Sequence, residues 1–284
     1  MLHPFVIPGF LLALLMLLPG LDSPLKALWI IPAALGCTAA LLIAYFLILY
    51  VISLFISFEK PQNTNNRFFR AVTNFSVGII LKLCRVKIRL LGAEKIPTGR
   101  WLLVSNHRSA FDPMIAMWAL RRHDMAFITK PENLKIPIAG KFIHKCCHLP
   151  IDRQNNRSAL KTILRAAELI KNGVVSMAIY PEGTRNHGPG LLPFRNGALQ
   201  IAQRAGVPVV VTVLHNTDAI TKRMPWRSTT VTLEVCCIID AETVKAEKSP
   251  ELGEEIRKLI SDEWYVLENA VHARSAGTGA GSPA

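Results

Sequence analysis

The amino-acid sequence predicts an α/β domain, a mostly buried central sheet flanked by helices, preceded by N-terminal membrane-anchoring helices. Three features predict it. From residue 85 to residue 239, short β-patterned runs alternate with segments of helical periodicity. Ahead of them, residues 27–58 form 32 positions without a charge. Charge is also unevenly placed. Residues 1–58 hold one acid, Asp22, and one base, Lys26, so the whole formal excess of +13 falls on residues 59–284.

The uncharged run exceeds the roughly 20 residues that span a bilayer core, and Pro32 and Gly36 are expected to break or tilt its first part, leaving a span near 34–57. The run at 5–21 is shorter and carries Pro8, Gly9 and Pro19; it fits a second span, a re-entrant arm or an interfacial helix. No positive n-region or small-residue cleavage site marks a signal peptide. Lys60, Arg67 and Arg70 follow the span, which places the body on the cytoplasmic side by the positive-inside rule. The expected organisation is therefore an anchor over 1–60, a catalytic domain over 61–272 and a disordered small-residue tail over 273–284.

Within the body, apolar positions 68, 69, 72, 75, 79, 80 and 83 give a helical stripe over 67–84, and RVKIRLL (85–91) alternates as a half-buried strand. WLLVSN (101–106) is the next strand. Helix 112–122, strand 125–129, a helical segment near 132–145 and a short strand near 148–152 follow. Helix 157–171 ends at Asn172-Gly173, and then come strand 174–180, helix 194–205 stopped by Gly206, and strands 207–214 and 230–239. A last amphipathic helix covers about 250–271, with Glu251, Glu254 and Glu255 near its start, where acids suit the helix dipole.

A basic body beside an apolar anchor suits anionic lipid or a phosphorylated substrate. Nucleic acid is the other usual partner of a basic domain, but no zinc finger, RNA-stacking motif or basic heptad helix is present. The six cysteines include no CxxC, and in a cytoplasmic body they read as reduced apolar residues. HKCCH (144–148) offers four potential metal ligands in five residues. That crowding fits poorly with the separated pairs of a tetrahedral site, so no metal is expected.

Two short stretches carry the chemistry. SNHRSAFDP (105–113) sets His107 five positions before Asp112. On one regular helix those side chains would point about 140° apart. Contact between them needs a bend: a strand ending near Val104, a tight loop, and a helix opening at Asp112-Pro113, where Asp can cap and Pro is tolerated. YPEGTRN (180–186) likewise follows an apolar strand and exposes Glu182, Gly183, Thr184 and Arg185 at its C-terminal end, where ligands of open α/β sheets sit. Gly allows close backbone approach, and Arg offers a planar fork for phosphate oxygens.

NHRSAFD (106–112) and YPEGTR (180–185), in that order and about seventy residues apart, resemble the NHx4D and [FY]PEGTR blocks of the glycerolipid acyltransferases. TKPENLKIPIAG (129–140) resembles that family's K-x-E-L-x-x-x-P-x-x-G segment, with Asn133 between Glu132 and Leu134. LPIDR (149–153) resembles the end of G-x-[IV]-[FP]-[IV]-[DR]-R, but Cys147 stands at the usual Gly and Leu149 at the usual Ile or Val. VPVVVTVL (207–214) resembles the last block, with Val211 in place of its second Pro. The resemblance covers roughly residues 85–240 and is closest to the 1-acylglycerol-3-phosphate acyltransferase branch.

That resemblance implies a membrane-bound enzyme moving a fatty acyl group to the 2-hydroxyl of lysophosphatidic acid, giving phosphatidic acid. The donor would be acyl-CoA or acyl carrier protein, as a substrate, with no cofactor. His107 would be the general base and Asp112 its orienting partner. Arg185, Lys130 and then Arg153 would meet the acceptor phosphate, Arg153 having an ion-pair role as its alternative. Glu182, Gly183 and Thr184 would position substrate, Glu182 by orienting Arg185 or a backbone turn or by touching the glycerol hydroxyl. Arg108 sits at a variable motif position and has no assigned role; Ser109 is a nucleophile by composition only. Backbone N–H groups of the 105–113 turn are candidate oxyanion donors. Alternatives are another acceptor (a different lysophospholipid, glycerol 3-phosphate or an amino-acid-derived lysolipid), a non-catalytic lipid-binding protein, or a metal-dependent hydrolase using His107, Asp112 and His144.

Overall fold

A computed structural model of the chain describes residues 3–17, 28–59, 61–188, 190–195 and 197–277. Its N-terminal part is a helical pair. Helix α1 (His3–Leu17) packs against α2 (Ile30–Leu54), and Gly9 makes the approach possible: a Cβ there would lie 2.4 Å from Thr38 Oγ1. Among the described residues, α2 alone is long and apolar enough to cross a membrane. At 1.5 Å per residue it spans about 37 Å, against about 22 Å for α1 and a bilayer core of about 30 Å. The break expected at Pro32 and Gly36 is absent. Pro32 falls in the first turn of α2, where its missing N–H has no intrahelical partner to lose. The rest of the 5–21 run, beyond Leu17, lies outside the described residues.

Amphipathic helix α3 (Arg67–Leu83), capped by Asn66 accepting from the N–H groups of Phe68 and Phe69, links this pair to the body. Tyr45 shares a 2.9 Å hydrogen bond with Ser76, and Phe5 lies 6.0 Å from Phe75. The body is a seven-stranded sheet in the order β1-β7-β6-β2-β5-β3-β4. Its strands are β1 (Val86–Leu91), β2 (Leu102–Ser105), β3 (Met125–Thr129), β4 (Leu149–Pro150), β5 (Ser176–Ile179), β6 (Val209–His215) and β7 (Thr229–Ile239). All neighbours pair in parallel except β6 and β7, which run antiparallel with a register shift at Val211/Thr212. The position where the resembling motif carries a second Pro is thus beside an irregularity in the ladder, the place a sheet tolerates one.

Alternate residues along β2 and just before it feed two cores: Leu102 and Val104 pack beneath α7 (Asn156–Lys171) and the C-terminal helix, Leu103 and the preceding Trp101 beneath α3 and α4 (Asp112–Ala119). The expected helix near 132–145 is two short ones, α5 (Pro131–Leu134) and α6 (Ala139–Lys145). Pro137 interrupts them, Ile138 takes φ +61, and Gly140 crosses so close that a Cβ would sit 2.0 Å from the Leu134 carbonyl oxygen. The helix expected over 194–205 keeps only α8 (Gln200–Ala205), because Arg195 N–H donates instead to Pro181 O at 3.0 Å. Two short helices that the periodicity did not indicate, α9 (Ala219–Arg223) and α10 (Ala241–Ala246), flank β7. The last helix, α11 (Ser249–Gly277), runs past 271; from 278 on, the expected tail lies outside the described residues.

Candidate active site

The parallel strands β2, β5, β3 and β4 end at one edge of the sheet, and the segment leaving each carries part of the site. After β2 the chain bends as its spacing requires. His107 Nδ1 lies 2.8 Å from Asp112 Oδ2. Asp112, completely buried, does not cap its own helix. Its Oδ2 also accepts the N–H groups of Arg108 and Ser109, each at 2.7 Å, so the carboxylate reaches back and closes the turn in front of it. An acceptor-only oxygen calls for the proton on Nδ1, which leaves Nε2 with a lone pair. Asn106 fixes the strand end by exchanging two 2.8 Å hydrogen bonds with the backbone of Leu214.

The loop after β5 holds the same turn from the other side. Glu182, 4% exposed, accepts His107 N–H at 2.8 Å through Oε1 and Leu192 N–H at 2.9 Å through Oε2. Asn186 N–H donates to His107 O at 2.8 Å. Among the roles foreseen for Glu182, the backbone brace is therefore the one its oxygens serve; it does not line the cavity. Burial pushes its carboxyl above the usual range, offset by the Leu192 and His107 hydrogen bonds and by the nearby charge of Arg108. Tyr180 stacks on the His107 ring at 4.4 Å and 16°, and burial, with the Asp112 charge, lifts its phenol well above the usual range.

His107 borders a cavity of about 900 Å3. Its wall joins apolar side chains, among them Phe46 and Leu49 of α2, to Lys130, Arg153, Gly183, Thr184, Arg185 and Arg195. Four cations thus meet in one cavity, and among the described residues none of them forms an ion pair. Among the described residues no carboxylate lies within ion-pair distance of Arg153 for the bracing role considered for it. Burial, and then the charge of Arg195, lower its pKa, with Glu132 acting in the opposite sense. Gly183 has φ +74 and passes so near Arg195 that a Cβ would lie 2.5 Å from Nε.

Several expectations change here. The N–H groups of Arg108, Ser109, Phe111 and Asp112 are engaged within the turn and that of His107 is taken by Glu182, so these five are not free as oxyanion donors, while Ala110 of the same turn lines the cavity. Ser109 Oγ accepts from Phe111 N–H and is buried, a turn-forming role. Arg108 donates to Gly188 O at 3.1 Å and lies over the Trp264 ring at 5.0 Å. The HKCCH run disperses: Cys146 Sγ meets Thr73, Cys147 Sγ meets Thr64 O, and His144 meets Gln62. Among the described residues no three metal-ligand side chains gather. Burial pushes the Cys147 thiol up to about 11 and Cys236 to about 12, so both stay protonated thiols near neutrality. Sequence reasoning missed Arg195, whose signal was only a second Arg ten positions after Arg185, and Tyr180, which stood inside a motif with no role given to it.

Residues 87–215 match the family model described as Acyltransferase. The 1-acyl-sn-glycerol-3-phosphate acyltransferase of Salmonella typhimurium is 29% identical over 178 residues, 63% of this chain and 72% of that protein. The Haemophilus influenzae protein of the same name is 28% identical over 225 residues, covering 76% and 88%. The crystal structure of the 1-acyl-sn-glycerophosphate acyltransferase from Thermotoga maritima shares the fold, with a TM-score of 0.57 and 24% identity over 79% of this chain and 88% of that one. The matched segment contains both motif-bearing turns that converge at the sheet edge, and over it the chain is similar to the 1-acyl-sn-glycerol-3-phosphate acyltransferases.

Proposed function

We propose that this enzyme transfers a fatty acyl group from a thioester donor, acyl-CoA or acyl carrier protein, to the 2-hydroxyl of lysophosphatidic acid, yielding phosphatidic acid. The observation that carries the reading is the His107–Asp112 contact at the rim of a cavity that is apolar in part and lined in another part by four cations with no ion pair among the described residues. His107 Nε2 takes the hydroxyl proton as that oxygen attacks the thioester carbonyl carbon. The C–S bond breaks, and the imidazolium returns the proton to the departing thiolate. Asp112 keeps the ring in the useful tautomer and stabilises its charged form; such base catalysis contributes roughly 10²–10⁴-fold. The reaction needs no metal and no cofactor.

Lys130, Arg153, Arg185 and Arg195 meet the acceptor phosphate, and the apolar wall takes an acyl chain. Thr184 and Gly183 shape the approach beside Arg185. Lysophosphatidic acid and its product stay in the bilayer, so α2 holds the cavity where the acceptor resides, with the body on the cytoplasmic side where the donors are. The test is thiol release from both donors across a panel of lysolipids, glycerol 3-phosphate included. Fastest turnover with lysophosphatidic acid, abolished in His107→Ala with lipid binding kept, supports the proposal. Preference for an acceptor without phosphate, unchanged turnover in His107→Ala, or inhibition by chelator overturns it.

A further inference from the structure

Trp226 is 84% exposed, which is unusual for the largest apolar side chain in a segment with an ordered backbone. Its turn is well fixed. Arg227 N–H donates to Arg223 O at 2.8 Å, Met224 N–H donates to Ile220 O at 2.9 Å, Ile220 is completely buried, and Met224 packs in the same cluster as Val77 and Leu81 of α3. The ring is therefore held out from a firm base. Exposed Arg223 and Arg227 stand on either side of it. The neighbouring segment has the same character: Lys82 and Arg85 are exposed around Leu83, itself 48% exposed at the end of α3. Thr229 N–H donates to Arg85 O at 3.1 Å where β1 and β7 begin their parallel pairing, so the two segments are contiguous. Among the described residues these four cations form no ion pair.

The location is equally informative. Because β7 runs antiparallel to β6, its start at Thr229 lies beyond His215, on the edge of the sheet where β2 ends and His107 follows. Helix α3, whose end belongs to the patch, also carries the α1–α2 pair at Phe75 and Ser76. None of these side chains lines the cavity. We infer that residues 82–85 and 223–227 form a second membrane contact, a basic and aromatic foot that rests on an anionic bilayer surface while α2 is inserted. An indole has an apolar body and a polar N–H, which suits the headgroup boundary, and flanking Lys and Arg are drawn to anionic lipid. A second copy of this chain would bring the same positive charge to the contact and be repelled.

The experiment uses the full-length protein in three settings: detergent micelles, phosphatidylcholine vesicles, and vesicles in which part of the phosphatidylcholine is replaced by phosphatidylglycerol. Acrylamide quenching of tryptophan emission is compared between wild type and Trp226→Phe, the difference isolating Trp226. In anionic vesicles its quenching is expected to fall about threefold or more below that in micelles, and to recover in Arg223→Glu/Arg227→Glu and in high salt. Both variants should keep wild-type turnover in micelles, which shows that they are folded. Equal quenching in micelles and anionic vesicles overturns the inference. So does equal protection in neutral vesicles, which would remove the anionic partner, or protection in micelles that grows with protein concentration, which would point to a second copy.

Discussion

The backbone N–H of His107 donates to Glu182 Oε1 at 2.8 Å across 75 positions of sequence. The two motif turns are thereby one unit: Asp112 orients the imidazole, and Glu182 holds the peptide from which that imidazole projects. Glu182→Gln keeps one acceptor oxygen but turns an NH2 toward the other backbone donor, leaving a buried N–H unpaired at a cost of about 1–3 kcal/mol. Turnover is expected to fall about tenfold or more with acceptor KM little changed. Burial raises the Glu182 carboxyl above its ordinary 4.5, so the folded chain binds that proton before the unfolded chain does. Its contribution to stability therefore rises as pH falls through the raised value toward 4.5. The melting-temperature gap between wild type and Glu182→Gln should widen from pH 7 to pH 5.

Arg195 and Gly183 make a linked pair. Removing one charge-assisted contact to a phosphate loses about 1.5–3 kcal/mol, so Arg195→Gln should raise KM for a phosphorylated acceptor about 10- to 100-fold while leaving a neutral monoacylglycerol unaffected. Gly183→Ala strains a residue at φ +74 and pushes on the Arg195 guanidinium. It should shift KM in the same direction and lower the melting temperature. If the shared cause is the position of Arg195, the KM effects of the double variant will fall short of the product of the single ones.

His148 supplies a pH signature of stability. Burial, and then the charge of Arg70, lower its pKa from 6.5 to about 3, and its Nε2 has no hydrogen-bond partner among the described residues. The folded chain thus keeps His148 neutral where the unfolded chain is protonated. Its contribution is intact above pH 6.5 and is lost as pH falls from there toward 3. At pH 5 the loss amounts to about 2 kcal/mol. His148→Phe, beside Phe127, should remove about that much of the fall in unfolding free energy between pH 7.5 and pH 5. An identical fall in both proteins would refute the assignment.

Cys147 occupies φ +67, a conformation that suits Gly, at the motif position where the resembling pattern has Gly. Cys147→Gly and Cys147→Ala both lose the buried sulfur, so comparing them isolates the backbone. The Gly variant should be the more stable by about 1 kcal/mol, read from denaturant midpoints at equal slope.

Local chemistry was enough to reveal much of this protein. The alternation of apolar runs indicated an α/β domain, the 27–58 run indicated a membrane helix, and the five-residue interval from His107 to Asp112 required a bend because helical geometry forbids the contact otherwise. Those are properties of neighbours in sequence, where periodicity and turn chemistry act. Long-range pairing decided the rest. Nothing near Asp112 indicates that its carboxylate turns back to close the preceding loop rather than capping its own helix, nor that five N–H groups of that loop are consumed. Arg195 joins the cavity because its backbone N–H finds Pro181 O across the site, a hydrogen bond that also stops the helix its own periodicity favours. The antiparallel return of β7 brings Trp226 to the end of the sheet where His107 follows β2, because the 216–228 connection re-enters the sheet from the end at which β6 leaves it. Residue type and spacing determined which groups could react. Tertiary packing alone decided which of them share a cavity, because burial and hydrogen-bond satisfaction are settled between segments that the sequence keeps far apart.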